Sequence, residues 1–190
     1  SRRILLAGKA CGLVPRLHAD ELTPLGGARL AAEVGALSAD HLLFAQPDGI
    51  HAMAKAGVVA TLLPGTSVFL RMNRYAPARE MVSAGVAVAL GTDCNPGSSY
   101  TESLPAVAFF AAIGMGLTVE ETLVAMTLNA AASIGEAARR GSLEPGKAAD
   151  VVLVDGPNIE HLVYHYGVNP VTDVVVAGVP VVRDGRRVPV

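Results

Sequence analysis

An α/β fold, parallel strands alternating with helices and followed by a small antiparallel β domain, is what this sequence predicts, and three observations predict it. Aliphatic runs such as Val58-Val59-Ala60-Thr61-Leu62-Leu63 and Val86-Ala87-Val88-Ala89-Leu90 lack polar alternation, as strands buried on both faces do. Each run ends in turn-forming or polar residues and is followed by a helical stretch, the order of a βα unit. Past residue 140 the character changes to turn-rich sequence with hairpin signals. The 190 residues are 51% hydrophobic and 17% charged, enough apolar side chain to bury a core and to exclude disorder.

Taken in order, residues 5–12 read as the end of an amphipathic helix already under way at Ser1, with Gly12 as its stop. A short strand over 13–18 closes on the polar group His18-Ala19-Asp20-Glu21, and Gly26-Gly27 leads into an alanine-rich helix over 28–34. A second strand is expected at 40–44 and a helix at 47–56. The third strand, 58–63, is expected to end at the turn Pro64-Gly65-Thr66, and a helix over 77–84 is stopped by Gly85. The fourth strand, 86–90, precedes a long helical region from 104 to about 138. Right-handed crossovers make these four strands parallel. A whole (β/α)₈ barrel takes about 250 residues. Residues 1–140 therefore read as the C-terminal half of a TIM-like barrel. Residues 141–190 read as part of a small composite β domain, with a strand at 151–155 and a hairpin over 173–182 that turns at Ala177-Gly178.

A net charge of −2 offers no electrostatic basis for binding nucleic acid or an anionic membrane. No apolar segment approaches a membrane span, and the run after Arg2-Arg3 is too short for a signal peptide. Cys11 and Cys94 form neither a zinc pattern nor a disulfide framework, which suits a reducing, cytoplasmic setting.

The chemistry-bearing residues collect where strands end. The fourth strand runs into Asp93-Cys94-Asn95-Pro96-Gly97-Ser98-Ser99, and by itself this stretch reads equally as a buried strand with an ordinary turn. In a barrel, however, the strand ends converge on one mouth, which brings His18, Glu21, His41 and Asp93 together. His18 and Asp93 are of the types that ligate a catalytic divalent ion, and such an ion lowers the pKa of bound water from about 15.7 to about 7. Glu21 can hold substrate or move a proton, and His41 can stabilise an oxyanion. Asn95, Gly97 and Ser98 offer donors to a polar substrate. Two ligands are only half a metal shell, so a non-catalytic interaction module is also compatible with the chain.

Several segments together resemble the imidazolonepropionase family of metal-dependent amidohydrolases. They are Leu17-His18-Ala19-Asp20-Glu21-Leu22, Ser38-Ala39-Asp40-His41-Leu42-Leu43, Leu63-Pro64-Gly65-Thr66, Tyr75-Ala76-Pro77-Ala78-Arg79, Thr92-Asp93-Cys94-Asn95-Pro96-Gly97-Ser98-Ser99 and Tyr164-His165-Tyr166-Gly167-Val168-Asn169. Gly141-Ser142-Leu143-Glu144-Pro145-Gly146-Lys147-Ala148-Ala149-Asp150 is shared more widely across the superfamily. The resemblance covers nearly the whole chain but only the C-terminal half of the family's length. It implies His18 and Asp93 as metal ligands, Glu21, His41 and Asp93 as catalytic groups, and Glu21, Asn95, Gly97 and Ser98 as substrate contacts. It also implies zinc or iron as the metal, a homodimer, and hydrolytic opening of 4-imidazolone-5-propanoate to N-formimidoyl-L-glutamate. The family's His-x-His is absent from these residues, so the 190-residue chain alone is expected to be inactive and to expose two unpaired barrel edges. A nucleobase-type deaminase would suit the same four residues.

Other features read as structural. His161 and His165 have helical metal-ligand spacing, but Pro157 and Gly167 around them favour an extended segment. Cys94 is read as a packing residue, His51 as a solvated helix residue, and Met115 and Met126 as core or contact residues.

Overall fold

The computed structural model describes residues 1–189. Helix α1 (Arg2–Ala10) is released at Cys11 and Gly12, and the chain enters strand β1 (Arg16–Ala19). Then come α2 (Gly27–Val34), β2 (Ser38–His41), α3 (Pro47–Ala56), β3 (Val59–Leu62), α4 (Pro64–Phe69), α5 (Ala78–Ser83) and β4 (Val88–Leu90). The strands pair in parallel in the order β1-β2-β3-β4, so each helical excursion returns the chain beside the strand it left. Every residue of β2, β3 and β4 is buried, which explains the mostly aliphatic character of β3 and β4, whereas β2 buries the polar Ser38, Asp40 and His41. β1 and β4 are the outer strands, and β1 is correspondingly half exposed.

Three expectations about this sheet are corrected. The second strand lies at 38–41 and not at 40–44, because the backbone turns left-handed at His41 (φ 72°) and Leu42 (φ 60°). The apolar run Leu42-Leu43 is buried beyond the strand. Pro64 opens α4 instead of closing a turn, since a proline in the first helical turn forfeits no intrahelical hydrogen bond. The region after residue 104 is three helices and not one: α6 (Leu104–Met115), α7 (Val119–Met126) and α8 (Leu128–Ser133). Gly116 stops α6 in a left-handed conformation. Thr118 and Glu121 then form a reciprocal capping box that starts α7. Asn129 Nδ2 of α8 donates to the Val88 carbonyl at 2.9 Å, giving outer strand β4 one partner.

β5 (Val151–Val154), α9 (His161–Tyr164), β6 (Val171–Val176), β7 (Val179–Arg183) and β8 (Arg186–Arg187) follow. The strands form an antiparallel sheet in the order β5-β6-β7-β8. The expected hairpin turns at Ala177 (φ 50°) and Gly178 (φ 82°), and a second two-residue turn follows at Asp184 (φ 48°) and Gly185 (φ 69°). Positive φ at both central residues matches the right-handed twist of a hairpin. Asp150 Oδ1 accepts from the Ala177 N–H at 2.8 Å, so the end of the Gly141–Asp150 motif ties down the first turn. The His161–His165 segment is a helical turn where an extended stretch was expected, because Pro157 and Gly167 bracket the turn and leave it intact. No helix of the described residues is long and apolar enough to cross a membrane.

Candidate functional site

The site is assembled from the C-terminal ends of β1, β2 and β4. After Ala19 the chain turns sharply at Asp20 (φ 46°), whose carboxylate is buried. Asp20 Oδ1 accepts from the N–H groups of Leu25 (2.9 Å) and Gly27 (2.8 Å), and Oδ2 accepts from Ala28 (2.9 Å). A carboxylate here satisfies the orphan donors at the start of α2. Gly27 is required by the same contact, since a Cβ there would lie 2.8 Å from Ala19 Cα. Asp20 thus locks the turn that carries Glu21.

His18 and His41 stand on adjacent strands with ring centroids 4.9 Å apart, edge to face. His18 is solvent-facing, and its Nδ1 lies 3.5 Å from Asp40 Oδ2. Asp40 is buried and held from behind: Arg16 Nε donates to Ser38 Oγ (2.7 Å), and Ser38 Oγ donates to Asp40 Oδ1 (3.3 Å). The carboxylate faces Nδ1 of the imidazole and leaves His18 Nε2 for another partner.

His41 is 2% exposed, and its Nδ1 has no hydrogen-bond partner. The nearest carboxylate oxygen, Glu21 Oε1, is 3.8 Å away, beyond hydrogen-bonding range. Burial pushes the His41 imidazole below the ordinary histidine range, against the opposing pull of Glu21 and then Asp93. The ring is therefore neutral at neutral pH, and its Nδ1 is buried without a partner. Of its charged neighbours Glu21 lies 3.8 Å from Nδ1 and the His18 ring 4.9 Å from its own, while Asp93 and Asp40 pull on it from farther out.

Asp93 follows β4 in a left-handed conformation (φ 51°). Its Oδ2 accepts from Thr66 Oγ1 at 2.7 Å and from Ser98 Oγ at 3.4 Å, whereas Oδ1 has no recorded donor among the described residues. The loop beyond is an Asn-led turn. Asn95 Oδ1 accepts from the N–H groups of Gly97 and Ser98, both at 2.8 Å, and Asn95 Nδ2 donates to the Asp93 carbonyl (2.7 Å) and Ser98 Oγ (2.8 Å). Cys94 is exposed, contrary to the packing role expected for it, because this turn lifts it off the core.

The expected residues His18, Glu21, His41 and Asp93 are thus brought together, with Asn95, Gly97 and Ser98 on the adjoining loop. Among the described residues no three His, Cys, Asp or Glu side chains form a metal shell. Asp20, Asp40 and Thr66 carry the supporting hydrogen bonds. Asp20 and Asp40 lie directly before Glu21 and His41, a placement that a reading for bracing carboxylates could have used. Thr66 is 27 positions from the aspartate it touches and gives no local signal.

Comparison with known proteins bears on the family and the fold. The profile described as "Amidohydrolase family" matches residues 19–188. The imidazolonepropionase of Geobacillus kaustophilus is 56% identical over 186 residues, covering 98% of this chain and 44% of that protein. The imidazolonepropionase of Shouchella clausii is 57% identical over 185 residues, covering 97% of this chain and 41% of that protein. The chain therefore spans less than half the length of these relatives. Among solved structures, a zinc-bound adenosine deaminase from Xanthomonas campestris superposes with a TM-score of 0.83 at 26% identity, over 100% of this chain and 50% of that one. The zinc complex of atrazine chlorohydrolase from Arthrobacter aurescens gives a TM-score of 0.85 at 23% identity, over 99% of this chain and 49% of that one, a likeness of fold.

Proposed function

The chain belongs to the amidohydrolase family, and from that premise we propose that it supplies one part of an imidazolonepropionase. That enzyme opens the ring of 4-imidazolone-5-propanoate by hydrolysis to N-formimidoyl-L-glutamate. The fold is four strands of a TIM-like barrel plus a small β domain, and we divide the two at residues 140/141, where the turn-rich segment begins. The observation that carries the proposal is the convergence of His18, Glu21, His41 and Asp93 on one mouth in a chain 56% identical to a named imidazolonepropionase.

An imidazole and a carboxylate are donor types that suit a divalent ion such as zinc or iron, and these two would be half of its shell. His18 would hold it through Nε2, with Nδ1 turned to Asp40, and Asp93 through Oδ1, with Oδ2 turned to Thr66. When bound, such an ion supplies Lewis acidity toward water and a carbonyl oxygen. Asp93 takes a proton from the attacking water at its carboxylate and passes it toward the ring nitrogen that leaves. His41, neutral and with Nδ1 unpartnered, donates to oxygen as the carbonyl carbon becomes tetrahedral. Glu21, beside His41 Nδ1, holds the ring N–H. The propionate tail competes with Asn95 Oδ1 for the N–H groups of Gly97 and Ser98, and Ser98 Oγ adds a third donor. The remaining metal and substrate groups belong to the rest of the enzyme.

Turnover of 4-imidazolone-5-propanoate by the whole protein tests the proposal, run beside adenosine, cytosine and guanine. The likeness to an adenosine deaminase is what favours a deaminase as the second reading. Ring opening of the imidazolone is expected, and deamination without it overturns the proposal. The family reading also implies a cytoplasmic location and a homodimer, and sedimentation of the whole protein tests the dimer.

A further inference from the structure

Two histidines outside this mouth have no part in the chemistry above. α9 carries His161, and His165 follows one turn later, with His161 Nε2 and His165 Nδ1 3.1 Å apart. We propose that His161 and His165 form a second, surface metal site, a bidentate chelate for a borderline divalent cation such as Cu²⁺, Ni²⁺ or Zn²⁺.

The geometry is that of a chelate already closed. Two imidazole nitrogens bound to one ion at about 2.0–2.1 Å stand about 2.9 Å apart at a right angle and about 3.4 Å apart at a tetrahedral one. The observed 3.1 Å falls between those limits, with the ring centroids 4.9 Å apart and the planes tilted by 59°. Without a cation one nitrogen donates to the other; when an ion binds, the donating ring carries that proton on its far nitrogen instead, which leaves two lone pairs for the metal with no change of backbone.

The turn is also held at both ends, so little ordering remains for binding to supply. Asn158 Oδ1 accepts from the His161 N–H at 3.2 Å. Gly156 leaves room for the His161 ring, since a Cβ there would lie 3.1 Å from His161 Cδ2. Val163 is buried beneath the turn, and Tyr166 stacks on Phe109 of α6 with centroids 4.4 Å apart and planes at 18°. His165 is solvent-exposed, and a cavity of about 320 Å³ beside His161 is lined by Asp155 and Asn158, which offer oxygen donors. Imidazole donors select copper, nickel and zinc over magnesium and calcium, with copper bound most tightly.

The test uses the whole protein with its catalytic site already loaded, and Cu²⁺ as the probe. Equilibrium dialysis should show one Cu²⁺ per chain more for wild type than for His165→Gln, and the wild-type EPR spectrum should show nitrogen hyperfine structure from two imidazoles. His161→Gln should lose the same equivalent, and a hundredfold excess of Mg²⁺ should not displace it. Equal copper uptake by wild type and both variants overturns the proposal, as does displacement by Mg²⁺. If a variant fails to fold, the wild-type spectrum decides: one nitrogen or none refutes the chelate. Turnover of imidazolone propionate does not enter, so this inference can fail while the catalytic reading stands, and the reverse.

Discussion

The two sheets use the same backbone device for different ends. In the antiparallel sheet, left-handed residues come in pairs, Ala177-Gly178 and Asp184-Gly185, and each pair closes a two-residue hairpin. In the parallel sheet the left-handed residues Asp20, His41, Leu42 and Asp93 stand singly or together where β1, β2 and β4 give way to loops. That conformation costs a non-glycine residue about 1 kcal/mol or more. In the hairpins the cost accompanies a turn of the chain. At Asp20 and Asp93 in the mouth it accompanies a carboxylate aimed and braced, Asp20 by three N–H groups and Asp93 by two hydroxyls. The same torsion therefore marks topology in one sheet and chemistry in the other.

The sharpest way to break this comparison substitutes one aspartate from each class in the whole protein. Asparagine tolerates the left-handed region, so Asp93→Asn and Asp184→Asn both keep the backbone and remove only charge. Asp93→Asn should lower kcat/KM for imidazolone propionate by about 100-fold or more, and Asp184→Asn should leave it within about twofold. Similar values for the two would abolish the distinction. The bracing groups come next. Asp40→Asn and Thr66→Val should each weaken metal retention by about 10–100-fold in competition with a chelator. Undiminished retention in both would show that the Asp40 contact behind His18 and the Thr66 hydrogen bond behind Asp93 are incidental.

Stability should divide along the same line. Leu62 of β3 is fully buried, whereas Leu153 of β5 is 49% exposed. Leu62→Ala should cost about 2–5 kcal/mol in denaturant unfolding, and Leu153→Ala well under half as much. Comparable losses would mean that the antiparallel sheet is as firmly packed as the barrel strands.

This division also decides what could be read without coordinates. The aliphatic runs of β3 and β4 could be located because burial on both faces removes polar residues from the sequence itself. β2 starts two residues before its expected place because Ser38 is polar yet buried in the strand, and it ends early because the backbone turns left-handed at His41 and Leu42. Ser38 accepts from Arg16 of the neighbouring strand, and His18 of that strand faces Asp40 at 3.5 Å, partners that no local pattern displays. His18, Glu21, His41 and Asp93 were recognisable as reactive types at strand ends. Thr66 was hidden in what reads as a turn, because Pro64-Gly65 can begin a helix as well as end a strand. The breaks at Gly116 and Thr118-x-x-Glu121 did have local signals, outweighed by the alanine-rich run around them. Pro157 and Gly167 misled in the opposite direction, because one helical turn fits between them.

The smallest expected effects concern two surface glutamates, one beside each sheet. On α7, Glu121 is gripped by Arg79, whose Nη2 donates to Oε1 at 2.9 Å, and by the Thr118 N–H. The Arg79 hydrogen bond first, and the Thr118 N–H second, hold its carboxyl below the usual range. A carboxyl lowered on folding contributes stability that is complete above its ordinary value, 4.5, and is lost as pH falls through the lower folded value. Glu121→Gln should therefore cost stability at neutral pH, and the gap from wild type should close as the solution is acidified below that range. Thr118→Ala removes the other half of the cap and should cost about 1 kcal/mol. Before the antiparallel sheet, Glu144 is also lowered, by Ser142 and then Lys147, but it is 60% exposed. Solvent screens that interaction, so Glu144→Gln should leave the pH profile of stability unchanged within error. A larger response at Glu144 than at Glu121 would show that the turn before the small sheet is anchored by charge as well as by the Asp150 hydrogen bond to Ala177.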